Sequence, residues 1–298
     1  MKVLVTGASG WIGSAVTREL VATGHEVLGL ARSDASMQAV QGNGATPLRG
    51  DLDDLSSLRT GAESADAVVH LGMKHDWAHV ERAFATERAA VDCFGDVLAG
   101  SGRRLIIAGG LAALAEGRPA TEDDRSPFHG ADSPRGGAEN FVLDLVDRDV
   151  AGIVVRFAPT VHGVGDHGFI ATITAAARRH GVSGYAGAGD NRWAAVHRDD
   201  AARLVGLAVT GGEAGAILHA VGEEGIRTRD VAEAIGAAEG VPAQSLSADV
   251  VADQIGPFVG GFFAHGDMAA TSDRTRSALG WEPRGRGLLA DIAAGAYA

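Results

Sequence analysis

Residues 1–13 read M-K-V-L-V-T-G-A-S-G-W-I-G, and this stretch decides the fold. An apolar run centred on Val3 to Val5 has the composition of a buried strand, and Gly7, Gly10 and Gly13 follow it directly. Ile12, Ala15, Val16, Leu20 and Val21 then mark one face of a helix. A strand, a glycine triplet and a helix in this order predict a dinucleotide-binding turn. Gly7 permits the tight reversal, Gly10 lets backbone N–H groups approach a pyrophosphate, and Gly13 lets the helix pack closely on the sheet. The positive end of the helix dipole then faces the phosphates. Ser9, Trp11 and Ile12 complete the expected cofactor contacts of this turn.

Further along, strand-like runs at 26–30, 46–48, 67–70, 105–108 and 153–157 alternate with helix-length segments. Strict alternation predicts an α/β fold with a doubly wound parallel sheet of Rossmann type. Past Arg156 the regularity breaks into Pro159, Gly163, Gly165 and Gly168, a helix around 170–179 and a glycine-rich stretch to Asp190. A return helix starting near Asp199, another over 229–239, and Leu279-Gly280-Trp281-Glu282-Pro283, with Pro283 stopping a helix, follow. The expected division is a nucleotide-binding domain from 1–160 and 194–221, and a smaller C-terminal substrate lobe from 161–193 and 222–298.

Composition narrows the function. The 298 residues are 46% hydrophobic, enough for a large core. A net charge of -12 argues against a phosphate-neutralising groove, so no nucleic-acid partner is expected. The single cysteine, Cys93, rules out an intramolecular disulfide and reads as a small buried hydrophobe suited to a reducing compartment. No run of about 18 apolar residues occurs, so a cytoplasmic protein with no membrane partner is expected. Its partner is then a small-molecule substrate, with a second copy of the chain, docked through 76–98 and 134–147, as a possible dimer mate.

After the second strand the chain reads Gly29-Leu30-Ala31-Arg32-Ser33-Asp34. A basic residue at this point suits a 2′-phosphate, whereas an acidic one suits a 2′-hydroxyl, so Arg32 and Ser33 favour NADP(H) over NAD. Asp51 and Leu52 are placed against the adenine. Leu71, Gly72 and Met73 are placed along the nicotinamide ribose, with Pro159, Thr160 and Val161 on the nicotinamide side.

T-G-A-S-G-W-I-G (6–13), G-D-L-D-D (50–54), V-V-H-L-G (68–72), V-V-R-F-A-P-T-V-H-G (154–163), W-A-A-V-H-R-D-D-A-A-R-L (193–204) and L-G-W-E-P (279–283) occur in this order. Together they resemble the extended or atypical short-chain dehydrogenase/reductases over nearly the whole chain. M-K-H-D-W (73–77), G-V-G-D-H-G-F (163–169) and N-R-W-A-A-V-H-R-D-D-A-A-R-L (191–204) are similar to an NAD(P)-dependent epimerase/dehydratase-like subgroup. The resemblance implies a Tyr-x-x-x-Lys pair with an upstream Ser or Thr, but Tyr185 and Tyr297 are the only tyrosines and neither is followed by Lys. By pattern, Arg135 and Glu139 stand in the Tyr and Lys places and Gly109-Gly110 in the Ser place.

One helical turn between Arg135 and Glu139 predicts an i,i+4 ion pair. Arg135 is also a fixed cation able to hold an anionic or enolate oxygen, though it cannot donate a proton at neutral pH. Reduction of a carbonyl needs an acid, and Lys74, His75 and His162 are the candidates. Lys74-His75-Asp76 follows the fourth strand at the ligand-binding edge of the sheet, and His162 and His167 bracket the flexible Gly163-Val164-Gly165-Asp166. No metal is expected, since these spacings match no standard ligand set. Trp77, Phe128, Phe169, Tyr185, Trp193, Phe258, Phe262 and Phe263 suggest an apolar substrate, with Asn191 and Arg192 as polar anchors. The leading expectation is an NADPH-dependent oxidoreductase acting on a carbonyl or conjugated carbonyl. A redox-neutral epimerase or dehydratase and a non-catalytic NADP(H) sensor remain open beside it.

Overall fold

The computed structural model of the protein describes residues 1–74 and 79–297. Its first half alternates strand and helix: β1 (Lys2–Thr6), α1 (Trp11–Ala22), β2 (Glu26–Ala31), α2 (Asp34–Gly42), β3 (Thr46–Arg49), α3 (Leu55–Glu63), β4 (Ala67–His70), α4 (Val80–Leu98) and β5 (Arg104–Gly110). Next come α5 (Ala138–Asp144), β6 (Ala151–Phe157), β7 (Thr160–His162), α6 (Phe169–His180), β8 (Ser183–Ala186), β9 (Arg192–His197) and α7 (Arg198–Gly211). The chain ends with β10 (Ile217–Ala220), β11 (Glu223–Arg227), α8 (Thr228–Glu239), β12 (Ala243–Leu246), α9 (Ala248–Ile255), α10 (Pro257–His265), α11 (Asp273–Leu279) and α12 (Leu288–Ala293).

Among the described residues, seven strands form one sheet in the order β10-β6-β5-β4-β1-β2-β3, every neighbouring pair parallel. The strands read as near-continuous apolar runs because helices cover both faces. On one face Val3, Val5, Ile153 and Val155 pack with Val16 and Leu20 of α1 and Leu204 and Val205 of α7. On the other, Leu4, Val68 and Leu105 meet Leu58 of α3, Phe94 of α4 and Val142 of α5. Each such fully buried side chain contributes about 1.5–3 kcal/mol. Strand order reverses between β1 and β4, so the crevice beyond their carboxyl ends is where this architecture receives ligands.

A smaller group of elements rests on that edge. Strands β11, β9 and β7 form a second sheet, and β12 pairs with β8. An aromatic cluster fills the space beneath: Trp193 meets Phe263 edge-on at 5.3 Å, and Phe169 lies 5.8 Å from Trp193. The segment 222–298 does not stay wholly with these elements. Trp281 packs in the core beside α7 and donates from Nε1 to the Asp200 carbonyl at 3.0 Å. The helix before it stops at Leu279, where Gly280 turns left-handed at φ 60°, so Gly280 and not Pro283 terminates it.

Only one glycine of the opening triplet takes a left-handed conformation, Gly7 at φ 68°. Gly13 is required for a different reason: a Cβ there would stand 2.0 Å from the Gly7 carbonyl oxygen. Gly13→Ala is therefore expected to cost about 3 kcal/mol in urea unfolding. Gly42→Ala, in open space at the end of α2, is expected to change stability by less than about 1 kcal/mol. Equal effects at the two positions would show that the contact between Gly7 and Gly13 is not the constraint.

Candidate active site

At the β1–α1 turn the residues present fit a dinucleotide phosphate. Gly10 is the N-cap of α1 and supplies no side-chain acceptor, and no acidic residue occupies the first turn. The leading N–H groups of α1 are thus left for an anion, with the positive helix end behind them. A Cβ at Gly7 would approach Gly72 N to 2.9 Å, so Leu71 and Gly72 lie directly against the turn. Gly72 N also donates to Thr6 Oγ1 at 3.0 Å, and Leu52 approaches the same glycine. Ser9 is exposed and Ile12 and Met73 are half-buried. Trp11 reaches the other side of the crevice, donating from Nε1 to the Val161 carbonyl at 2.7 Å. The Arg198 guanidinium covers its ring at 4.1 Å and His167 meets it edge-on at 5.8 Å. Pro159 joins β6 to β7, and Thr160 is buried with an unpartnered hydroxyl.

Beyond β2, Arg32 is exposed, and among the described residues its guanidinium has no ion-pair or hydrogen-bond partner. Ser33 caps α2, its hydroxyl accepting from Ser36 N while Ser36 Oγ accepts from Ser33 N. Asp34 is already paired with Arg49 at 2.6 Å. Asp51 and Asp53 converge on Lys74, with Asp51 at 3.5 Å and Asp53 in direct hydrogen-bond contact. The Lys74 hydrogen bond is the main cause holding the Asp53 carboxyl below its ordinary pKa. Lys74 thus ties the end of β4 to the loop after β3. His75 and Trp77 lie outside the described residues.

The carboxyl end of β5 opens into a cavity of about 110 Å³ whose walls include Gly109, Leu114, Phe128, Arg135, Glu139 and Glu87. Lys74 and His162 do not line it. The expected Arg135–Glu139 pair does not form. Arg135, Gly136 and Gly137 are all left-handed, at φ 54°, 60° and 59°. Since α5 begins only at Ala138, the two side chains share no helical turn. Arg135 instead donates from Nε at 3.1 Å and from Nη2 to Glu87, which is 3% exposed on α4. Glu139 Oε1 accepts from Arg156 Nε at 3.0 Å and from its Nη2.

Arg156 is completely buried on β6. Its Nη1 donates to His219 Nε2 at 3.2 Å, and His219 Nδ1 lies 2.9 Å from the Thr271 carbonyl. The imidazole is therefore neutral, with its proton on Nδ1. Glu87, Arg156 and His219 were not singled out in the sequence. An arginine inside the apolar run Ile153–Phe157 was the available signal, because a charge buried there demands a partner.

His162 is fully buried on β7, with Nδ1 2.7 Å from Asp291 Oδ2 of α12. Its Nε2 is unpartnered, 3.9 Å from Glu223 Oε2. Burial lowers its pKa, outweighing the opposing pull of Asp291. Nearby, Asp166 accepts from Tyr297 Oη at 2.8 Å and from Gly168 N at 2.7 Å, and burial raises its pKa. Asn191 and Arg192 are spent on structure rather than held free as substrate anchors. Asn191 Nδ2 donates to the Phe263 and Gly266 carbonyls at 2.9 and 3.1 Å, and Arg192 pairs with Asp267 at 3.2 Å.

A sequence model of the NAD dependent epimerase/dehydratase family matches residues 3–220. An uncharacterized protein of Saccharomyces cerevisiae is 40% identical over 300 residues, spanning 99% of this chain and 98% of that one. The 2-alkyl-3-oxoalkanoate reductase of Stenotrophomonas maltophilia is 30% identical over 220 residues, 68% of this chain and 63% of its own. In fold, the chain is similar to the UDP-glucose 4-epimerase of Thermus thermophilus in complex with NAD. The TM-score is 0.75 at 21% identity, over 99% of this chain and 98% of that one.

A pH dependence of stability follows from the buried imidazoles. His70, at the end of β4, has its pKa pushed from 6.5 down to about 3 by burial, with the Arg135 charge adding to the shift. Burial also lowers the pKa of His162 and His219. A group neutral when folded and protonated when unfolded stabilises the fold above the unfolded pKa, and that stability is lost as the pH falls. Chemical denaturation at pH 7 and pH 5 is expected to show a loss of about 2 kcal/mol from His70 alone. His70→Asn, which retains a polar group beside Thr6 Oγ1, should flatten the dependence by that amount. An unchanged slope would mean that His70 does not contribute.

Proposed function

Because the chain belongs to the NAD dependent epimerase/dehydratase family of extended short-chain dehydrogenase/reductases, we propose that it is an NADPH-dependent oxidoreductase. Its substrate in this reading is the carbonyl or conjugated carbonyl of a small molecule. The observation that carries the reading is the cavity beside β5, where mostly apolar walls, with Glu87 and Glu139 among them, hold one guanidinium that has a nitrogen left unpaired among the described residues. Arg135 spends Nε and Nη2 on Glu87 and leaves Nη1 unpaired among the described residues. A fixed cation at the sheet edge stabilises negative charge developing on a carbonyl oxygen. The reductase name of the Stenotrophomonas maltophilia relative supports the same class.

The cofactor, when bound, supplies the hydride. The chain's own part begins with the pyrophosphate, held at the first turn of α1. Arg32 faces the 2′-phosphate, with Ser33 and the start of α2 beside it. Asp34 does not compete, because Arg49 neutralises it. Leu71, Gly72 and Met73 flank the ribose, while Pro159, Thr160 and Val161 close the nicotinamide side. Lys74 and His162 act as structural ties in this reading, since each is committed to carboxylates away from the cavity. The family description also admits a redox-neutral reaction that regenerates its cofactor, and net NADPH consumption separates the two.

The test is NADPH absorbance with purified protein against aryl ketones, enones, quinones and imines. Sustained oxidation with one class is expected. Arg32→Ala should weaken NADPH binding about 10- to 100-fold and leave NADH binding within about twofold, by the worth of a charge-assisted hydrogen bond. Equal losses for both nucleotides, or none, would remove Arg32 from 2′-phosphate recognition.

A further inference from the structure

Arg156 takes both of its hydrogen bonds to Glu139 on one oxygen, Oε1. Among the described residues, Oε2 has no hydrogen-bond partner. This oxygen is not buried behind the wall. Glu139 lines the cavity with its side chain 13% exposed, and Oε2 stands 3.0 Å from the point where a Cβ on Gly109 would project. The missing side chain at Gly109 therefore makes the room that the carboxylate fills. In the other charged pair of the same wall, Arg135 binds both oxygens of Glu87 and leaves neither free. Glu139 is thus the cavity carboxylate with an unspent acceptor.

We infer that the substrate carries an O–H or N–H donor close to its carbonyl, and that Glu139 Oε2 receives it. The inference rests on the reductase reading for the carbonyl but not for the donor. In the free protein, Oε2 is left to solvent. A wholly apolar ligand would expel that solvent and leave a carboxylate oxygen desolvated and unpaired, which costs more than the apolar contact returns. A ligand with a matching donor restores the bond. Sites built around such a group reject analogues lacking it far more strongly than hydrophobic pockets reject a missing methylene. Arg156 is the positioning residue: it fixes the carboxylate by Oε1, so that Oε2 is presented rather than folded away. The substrate class expected from composition alone, largely apolar, is thereby narrowed to hydroxy- or amino-carbonyl compounds with an apolar remainder.

The test compares ketones bearing a hydroxyl α or β to the carbonyl with analogues in which methyl replaces that hydroxyl, for example α-hydroxyacetophenone against propiophenone. In wild type, kcat/KM is expected to favour the hydroxyketone of at least one pair by about a hundredfold or more. Glu139→Gln should reduce that ratio to below about tenfold, because a neutral acceptor gives a weaker bond. Calorimetric titration of the corresponding diols and their deoxy analogues into NADPH-loaded wild type, a pairing of alcohol with reduced cofactor that has no hydride acceptor, supplies a readout independent of turnover and of whether the variant folds. If diols bind better but no ketone is reduced, the reductase reading fails and the donor site stands. If hydroxyketones and methyl analogues are used and bound alike, or the ratio survives in Glu139→Gln with its melting temperature unchanged, the inference is overturned.

Discussion

Arg156 points from the carboxyl end of a parallel strand into a space that water does not reach, and much of the site follows from that placement. A charge buried there without partners would cost several kcal/mol, so neighbouring elements have to be arranged to meet it. Glu139 comes from the start of α5 and a neutral His219 from β10. His219 is held in turn: its backbone N donates to Thr275 Oγ1 at 2.8 Å, and Thr275 donates through its hydroxyl and its backbone N to the buried Glu122 at 2.7 and 2.9 Å. One guanidinium thereby links β6, α5, β10, α11 and the segment between β5 and α5. The cavity wall forms one side of this chain of bonds, which fixes the directions of its polar groups.

The left-handed run Arg135-Gly136-Gly137 is the second half of that arrangement. A continuous helix would bring Arg135 and Glu139 together, and both charges would cancel at the surface. Instead the turn aims Arg135 at Glu87 and frees Glu139 for Arg156. Gly136 and Gly137 adopt positive φ at little cost, but Arg135 at φ 54° carries strain of the order of 1 kcal/mol. The bidentate contact with a buried carboxylate is strong enough to hold it there. Each guanidinium faces its own carboxylate, so neither charge is left without a counter-ion. Because each pair is also incompletely used, one nitrogen and one oxygen remain to orient a ligand.

What the sequence made legible was whatever depends on neighbours in the chain. Alternating apolar runs, the spacing of Gly7, Gly10 and Gly13, and the acidic start of α7 are local patterns, and the strands and helices occur where those patterns lie. Pair partners were not legible. Arg135 and Glu87 are 48 residues apart, and His162 and Asp291 are 129 apart. Lys74 looked like a free ammonium after β4 only because nothing local shows that Asp51 and Asp53 fold back onto it. Asn191 and Arg192 looked available for a ligand because the carbonyls and the carboxylate that bind them come from the distant 263–267 segment. At Arg135 and Glu139 helical spacing does not apply, because residues 135–137 are left-handed and the helix begins only at Ala138.

The electrostatics of the crevice differ from those of the whole chain in a way that bears on its ligand. The molecule carries a net charge of -12, which would repel a polyphosphate if it were spread evenly. Along the edge it is not. Asp34 pairs with Arg49, Lys74 offsets one of the two charges of Asp51 and Asp53, and the first turn of α1 carries no acid. Against that background Arg32, unpaired among the described residues, and the open N–H groups of α1 are sources of locally positive potential at the sheet edge. Salt screens the remaining negative surface beyond about 8–10 Å, whereas contacts made inside the crevice are screened much less. An acidic exterior and an edge open to an anion are therefore compatible, because local pairing and the helix end, rather than net charge alone, set the field at the sheet edge.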